Sequence, residues 1–297
     1  LMAIFSAALV YGRMIKFSHS VFALPFALSG AVLAAREAGI AAIQILWIIV
    51  AMVGARSAAM GFNRLVDRGV DGANPRTMNR ELPRGIVSVR VVTMFVLLSG
   101  AVLIVAAYQL NSLCFYLSPL VLAVLLLYSY TKRFTWMSHL FLGLCLGGAP
   151  LGAWVAVTGR FDLPPVVLGF AVLSWVAGFD ILYACQDRDF DIGHGLHSIP
   201  ARFGISTALM IARFLHLASV LLLLWVGLLL GLHLVYFLGV ACISGLLIYE
   251  HVIVRPEDLS RLGMAFLTMN SAVSVVYFCF TLADLLLLGT PGTLFDY

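Results

Sequence analysis

About nine stretches of this chain are apolar for the length that a bilayer core demands, and that property removes most fold classes. A helix rises about 1.5 Å per residue, so crossing the hydrocarbon takes roughly 20 residues. The stretches lie near 18–35, 42–62, 89–109, 113–130, 137–157, 165–186, 206–229, 232–252 and 263–287. Hydrocarbon offers no partner for an unpaired N–H or C=O, so runs this long satisfy their backbones only as helices. They are too continuous for the short alternating strands of a membrane barrel. Only 11 % of the 297 residues are charged and 62 % are hydrophobic, whereas a soluble domain averages about 25 % charged. The expected fold is all-α and integral to the membrane, with about nine transmembrane helices around a central cavity. No Pro/Ser-rich linker or low-complexity tract divides the chain, so residues 1–297 are expected to form a single polytopic domain.

The basic residues are sorted by loop. Arg13 and Lys16 precede the first stretch, and Arg64 to Arg90 lie between the second and third. Lys132 and Arg133 follow the fourth, Arg188 and Arg202 the sixth, Arg255 and Arg261 the eighth. The opposite connections hold little beyond Arg36 and Arg160. The positive-inside rule then places the N-terminus and the even-to-odd loops in the cytoplasm, and the expected location is a bacterial inner membrane. The formal charge of +4 resides in those loops and calls for no nucleic acid. The opening LMAIFSAALVYGRMIKF has no basic region ahead of its apolar part, so it reads as an amphipathic lead-in rather than a removable signal. The five cysteines are scattered through apolar segments without a CxxC, which argues for packing and against zinc or disulfides.

One polar interruption, residues 63–85, reads NRLVDRGVDGANPRTMNRELPRG. Asn63, Asp67 and Asp71 are four apart and would share one helical face. Arg76, Arg80 and Arg84 follow at the same spacing. A second cluster, YACQDRDFDIGHGLHSIPARFG, begins at Tyr183 and carries Asp187 and Asp191, again four apart. Asp67-Arg68-x-x-Asp71 and Asp187-Arg188-x-x-Asp191 share the pattern D-R-x-x-D, a weak internal repeat. Four carboxylates facing one another across a cavity would repel, and a divalent cation removes that conflict. An all-oxygen donor set with phosphate nearby suits Mg²⁺, not zinc. Asp189 is about 200° round a helix from Asp187 and should point elsewhere.

Two ionisable residues lie deeper. Asp180 precedes Asp187 by two helical turns, and an acid at that depth is expected to serve a second metal or to orient one of its ligands. Arg56 precedes Asn63 by the same interval and needs an anion. Asp180 and the anionic group of a substrate are the two candidates. Lys16, Arg76, Arg80, Lys132 and Arg133 each read most simply as topology-determining charges. Together with two acidic pairs they read as a diphosphate clamp.

These motifs resemble the UbiA-type intramembrane aromatic prenyltransferases, in the branch similar to 4-hydroxybenzoate polyprenyltransferases. That family carries N-x-x-x-D-x-x-x-D after its second helix and D-x-x-x-D after its sixth, matched here by Asn63/Asp67/Asp71 and Asp187/Asp191. Its Y-x-x-x-K matches Tyr128 and Lys132, and NPRTMNRELPRG resembles its arginine-rich stretch. One departure is Arg64, where many members carry Asp.

The resemblance implies two Mg²⁺ held by Asp67, Asp71, Asp187 and Asp191, with Asn63 in support. It implies a polyprenyl diphosphate donor whose leaving group is neutralised by Lys16, Arg76, Arg80 and Lys132. A small aromatic carboxylate would be anchored by Arg56 and alkylated on a ring carbon, on the way to ubiquinone or menaquinone. Arg64 leaves the acceptor open between 4-hydroxybenzoate and 1,4-dihydroxy-6-naphthoate. Aromatic faces that would shield an allylic cation are Phe22, Phe26, Phe62, Trp154, Phe179 and Tyr183. A secondary transporter is the rival of a different class, but its acids would gather at the midplane rather than at the ends of spans.

Overall fold

The computed structural model describes residues 12, 14, 22–256, 258–264 and 268–288. Its helices are α1 (Leu24–Ala38), α2 (Ala42–Val66), α3 (Arg68–Ala73), α4 (Val89–Leu110), α5 (Ser112–Leu127), α6 (Ser138–Thr158), α7 (Leu163–Ala184), α8 (Arg188–Gly193), α9 (Ile199–Phe203), α10 (Ile205–Leu229), α11 (Leu234–Ile253) and α12 (Asn270–Leu288). Among the described residues the sole β pairing is an isolated bridge between Arg255 and Asp258. Among the described residues, eight helices are long and apolar enough to cross a membrane. The first expected span appears as α1, which has only 15 residues. Pro25 starts it, where a missing N–H costs nothing, and Gly39 ends it at φ 67°.

The chain forms two compact units. The first contains residues 47–130, with most of α2 and all of α3, α4 and α5. Asn111 alone joins α4 to α5: it is extended, and its side chain accepts a hydrogen bond from the Cys114 N–H at 2.9 Å. This cap satisfies a free donor at the start of α5 and makes a tight hairpin. Leu82, Val87 and Val92 pack with Met14 into a small core beneath the loop after α3.

The second unit contains residues 21–46 and 131–297. Its centre is α7, apolar on nearly every face and buried along most of its length, as expected of a helix enclosed by others. Lipid tails are as apolar as leucine, so close packing rather than water exclusion holds such helices together. Gly147 of α6 meets Gly169 of α7 backbone to backbone, with no room for a Cβ at Gly147. Gly178 of α7 likewise lies flat against the His216 ring of α10.

Several buried polar groups in this unit are paired across helices, which satisfies them away from water. The Trp175 indole N–H donates to Asn270 Oδ1 at 3.0 Å, and Asn270 Nδ2 donates to Glu250 Oε1 at 3.3 Å. His216 and His251 share a hydrogen bond of 2.9 Å. Asp284 of α12, fully buried, accepts from the N–H groups of His233 and Tyr236 at 2.9 and 3.0 Å and so caps α11 from a neighbouring helix. At the end of the unit away from the acidic motif, Arg36 donates to the Leu230 carbonyl, and Arg160 pairs with Asp162 and Glu37. The Asp162 hydrogen bond is the main cause that pushes the Arg160 guanidinium above its ordinary pKa. Arg160 is therefore neutralised locally, while Arg36 is held by a backbone carbonyl.

Candidate active site

The two acidic motifs adopt the same local structure. Helix α2 ends at Val66, Asp67 follows with φ −89° and ψ 5°, and the six-residue α3 begins at Arg68. Helix α7 ends at Ala184, a single 3₁₀ turn covers Cys185–Asp187, and Asp187 takes φ −98° and ψ 2° before the six-residue α8 begins at Arg188. The internal repeat read from D-R-x-x-D is thus repeated in the backbone. The first motif is also not one unbroken helix. Its fourfold spacing survives because the Asp67 and Asp71 N–H groups still donate to the carbonyls of Asn63 and Asp67 at 2.9 and 2.7 Å.

In the first unit the amide of Asn63 donates to Asp67 Oδ2 at 2.9 Å. Asp71 is buried, and Arg80 reaches both its carboxylate oxygens through Nη1, at 2.6 and 2.7 Å. Arg64 is also buried, with Nη1 3.9 Å from Asp71 Oδ2 and Nε donating to the Met14 carbonyl at 3.1 Å. The residue that departs from the family pattern therefore packs behind a motif carboxylate. The 74–88 segment is folded back by successive turns: Thr77 donates to the Asp71 carbonyl at 3.0 Å, and the Arg76 N–H donates to Asn74 Oδ1 at 2.9 Å. Arg76 and Arg84 are exposed, whereas Arg80 is drawn inward. Arg56 lies half-buried in α2, two turns before Asn63 on an uninterrupted helix, hence on the same face. Lys16 lies outside the described residues.

Tyr128 and Lys132 fall on a 3₁₀ turn, Tyr128–Arg133. At three residues per turn their side chains are separated by about 120°.

In the second unit Asp187 and Asp191 are buried while Asp189 is exposed and paired with Arg188, the division expected from the helical angle. The segment after Asp191 is pinned by three backbone donors. Leu196 N–H binds the Asp191 carbonyl at 2.9 Å, His197 N–H the Lys132 carbonyl at 2.8 Å, and Ile199 N–H the His139 Nε2 at 3.3 Å. His139 Nδ1 in turn lies 2.6 Å from Asp180 Oδ2. His139 was not legible from spacing, since 41 residues separate it from Asp180.

Of the aromatic candidates, Phe22, Phe26 and Phe179 join Trp175 and Tyr277 in the buried core of this unit. Phe26 stacks on Tyr277 at 4.9 Å. Trp154 belongs to the same core, and its indole N–H donates to Asp162 at the far end.

A divalent cation needs oxygen atoms that are not already satisfied. Asp191 Oδ2 is such an atom: it is buried and accepts no hydrogen bond among the described residues. A buried carboxylate oxygen left alone is costly, and a bound cation removes the cost. Within neither unit do three acidic, histidine or cysteine side chains converge among the described residues. The second unit offers Asp187 and Asp191, two carboxylates of the kind Mg²⁺ takes while phosphate and water fill its other positions.

Residues 23–272 match the UbiA prenyltransferase family. The chain is 33 % identical over 235 residues to the 4-hydroxybenzoate octaprenyltransferase of Tolumonas auensis, covering 79 % of this chain and 82 % of that one. It is 34 % identical over 224 residues to the enzyme of the same name from Edwardsiella ictaluri, covering 75 % and 77 %. The apo structure of a UbiA homologue from Aeropyrum pernix K1 superposes with a TM-score of 0.82 at 34 % identity, over 90 % of this chain and 98 % of that one. A homologue from Archaeoglobus fulgidus solved with DMAPP and Mg²⁺ shares the fold at a TM-score of 0.71 and 20 % identity, over 94 % and 99 % of the two chains. With paired aspartate motifs and a family match over most of its length, the chain belongs to the UbiA prenyltransferase family.

Proposed function

We propose that this protein transfers a polyprenyl group from its diphosphate to a ring carbon of 4-hydroxybenzoate, in quinone biosynthesis. The observation that carries the reading is the buried, unsatisfied Oδ2 of Asp191 in a segment pinned on three sides. It is an anionic atom held ready for a cation. The names of the relatives from Tolumonas and Edwardsiella support this acceptor, and the DMAPP and Mg²⁺ of the Archaeoglobus structure support a prenyl diphosphate donor and a divalent cation.

In this reading Asp67 and Asp71 hold one Mg²⁺, with Asn63 supporting Asp67, and Asp187 and Asp191 hold a second. When bound, the ions supply Lewis-acid stabilisation of the negative charge on the departing diphosphate. The chain's own cations do the rest. Arg80 and Arg76, with Lys16 and Lys132, neutralise the leaving group, Arg80 exchanging Asp71 for a phosphate oxygen. Tyr128 contacts the donor beside Lys132. Arg56, two turns deeper than Asn63, anchors the acceptor's carboxylate. The enzyme acts in the bacterial inner membrane, with the motif loops cytoplasmic. Arg64 points at Asp71 and the Met14 carbonyl, so its departure from the family pattern acts on the donor half and not on the choice of acceptor.

The test is an assay of purified protein with Mg²⁺, a labelled polyprenyl diphosphate, and 4-hydroxybenzoate or 1,4-dihydroxy-6-naphthoate in parallel. Ring-prenylated 4-hydroxybenzoate supports the reading. Product from the naphthoate alone reassigns the acceptor, and no carbon-prenylated product from either removes the reaction class.

A further inference from the structure

Asp180 is a buried-helix carboxylate that the diphosphate chemistry does not use, and it is held in a defined orientation. Ile199 opens α9, so its N–H has no partner within that helix and donates to His139 Nε2 at 3.3 Å. A ring nitrogen that accepts carries no proton. The His139 proton therefore sits on Nδ1 and is donated to Asp180 Oδ2 at 2.6 Å. Both nitrogens of His139 are thereby committed, and its side chain has no solvent exposure. Asp180 is different. Its side chain is 18 % exposed, and among the described residues the His139 bond is its one hydrogen bond, which leaves Oδ1 open.

Its position along α7 suits a second substrate. From Asp180 the chain runs through the last turn of α7 and the Cys185–Asp187 3₁₀ turn, an axial separation of about 11 Å. A cation at Asp187, a diphosphate oxygen, the allylic carbon beyond it and an aromatic ring at attack distance fill that length, with reacting atoms about 3–3.5 Å apart. An acceptor seated this way would bring its ring hydroxyl within hydrogen-bond reach of Asp180 Oδ1. The motif aspartates are poorly suited to the same task. Asp71 is gripped by Arg80, and Asp67 accepts from Asn63, and a carboxylate bound to a cation has its lone pairs engaged.

We infer that Asp180, oriented by His139, is the base that accepts the acceptor's hydroxyl proton during ring prenylation. This rests on the reaction proposed above. As the donor C–O bond breaks, its electron pair leaves on the diphosphate. The ring carbon ortho to the hydroxyl forms the new C–C bond while the O–H proton passes to Asp180 Oδ1, giving a prenylated dienone. The same carboxyl returns that proton to the ring oxygen as the ring C–H proton leaves to the released diphosphate. Aromaticity is restored and no further reactant is needed. Asp180 touches the substrate, and His139 is a positioning residue.

The test measures diphosphate release, ring-prenylated product and free prenyl alcohol separately, in wild type, Asp180→Asn, Asp180→Glu, His139→Asn and His139→Leu. The wild type must first make ring product from 4-hydroxybenzoate; if it makes none, the reaction itself is wrong, and not the base alone. Loss of a general base costs about 10²–10⁴ in rate. Asp180→Asn should lose ring product by at least about 100-fold, while diphosphate release continues as prenyl alcohol and the donor KM stays put. His139→Asn, which retains an N–H near the Nδ1 position, should keep more ring product than His139→Leu. With 3-fluoro-4-hydroxybenzoate, whose hydroxyl is more acidic, the ratio of wild-type to Asp180→Asn rate should shrink. Three outcomes overturn the assignment: unchanged ring product in Asp180→Asn, ring product and diphosphate release lost together, or a ratio that ignores the fluorine. If Asp180→Asn does not fold, Asp180→Glu is judged on the same product ratio.

Discussion

Arg80 Nη1 stands 2.6 Å and 2.7 Å from the two carboxylate oxygens of Asp71. A clamp arginine is thus paired with a carboxylate proposed to hold metal. Charge-assisted hydrogen bonds of this length are worth about 1.5–3 kcal/mol, so each partner is stabilised while substrate is absent. The same contact sets up an exchange. In the proposed reaction, Mg²⁺ taking Asp71 would release Arg80 towards phosphate.

Arg80→Gln removes the charge and leaves Asp71 buried beside Arg64 alone. The variant should be less stable by about 1–3 kcal/mol, seen as a lower Tm in detergent. Adding Mg²⁺ with a non-hydrolysable prenyl diphosphate should raise the variant's Tm more than the wild type's, because the ion replaces a partner that the variant lacks. Equal ligand-induced shifts in both proteins would count against the exchange.

Asp67→Ala and Asp187→Ala each remove one member of an aspartate pair. Turnover should fall by at least about 100-fold in either variant, the scale of losing a main electrostatic stabiliser of the transition state. Chelation of the wild type should abolish activity, and added Mg²⁺ should restore it. Substantial turnover in both variants, measured as diphosphate release, would dismiss the two-pair site.

Arg56 tests the acceptor half. Arg56→Ala should raise the KM for 4-hydroxybenzoate by about 10–100-fold, the worth of a charge-assisted hydrogen bond of about 1.5–3 kcal/mol, and leave the donor KM within about twofold. Equal changes in the two constants, from initial-rate series in each substrate, would remove its assigned role.

Asp284 tests the scaffold away from the chemistry. Its carboxylate is fully buried and accepts from the first N–H groups of α11 at His233 and Tyr236. Asp284→Ala leaves those donors unsatisfied and should cost about 1–3 kcal/mol. The measurement is Tm in detergent, with kcat of the remaining folded enzyme near wild type. A Tm unchanged within error would show that the cap contributes nothing.

Regular spacing made the motif aspartates legible. Asp187 and Asp191 were separable from Asp189 because an angle on a helix decides which side chain turns inward, and the structure buries the first two and exposes the third. The membrane fold was legible because long apolar runs leave a backbone few alternatives. What stayed hidden depends on chain reversal. Arg80 reaches Asp71 because turns at Asn74 and Thr77 fold the loop back, and no spacing in the loop announces that closure. His139 occupies the first turn of an apolar helix and meets Asp180 only after α6 packs against α7. The helix breaks at Asp67 and Asp187 also escaped a reading by periodicity, because in the first motif the four-residue hydrogen bonds run on across the break.

The backbone contact of Gly147 with Gly169 has a consequence for selectivity. With no side chain between them, α6 and α7 interlock like a peg in a notch, and neither can slide by a turn without a steric clash. Asp180 is carried on that locked rod and Asp187 on the 3₁₀ turn that follows it directly, so their separation is a fixed gauge. In the proposed reaction both reactants would be measured from the Asp187 end. An acceptor whose hydroxyl and nucleophilic carbon are not neighbours would fail that gauge however tightly it bound, whereas the length of the prenyl tail, trailing away from the reacting carbon, would never be read by it.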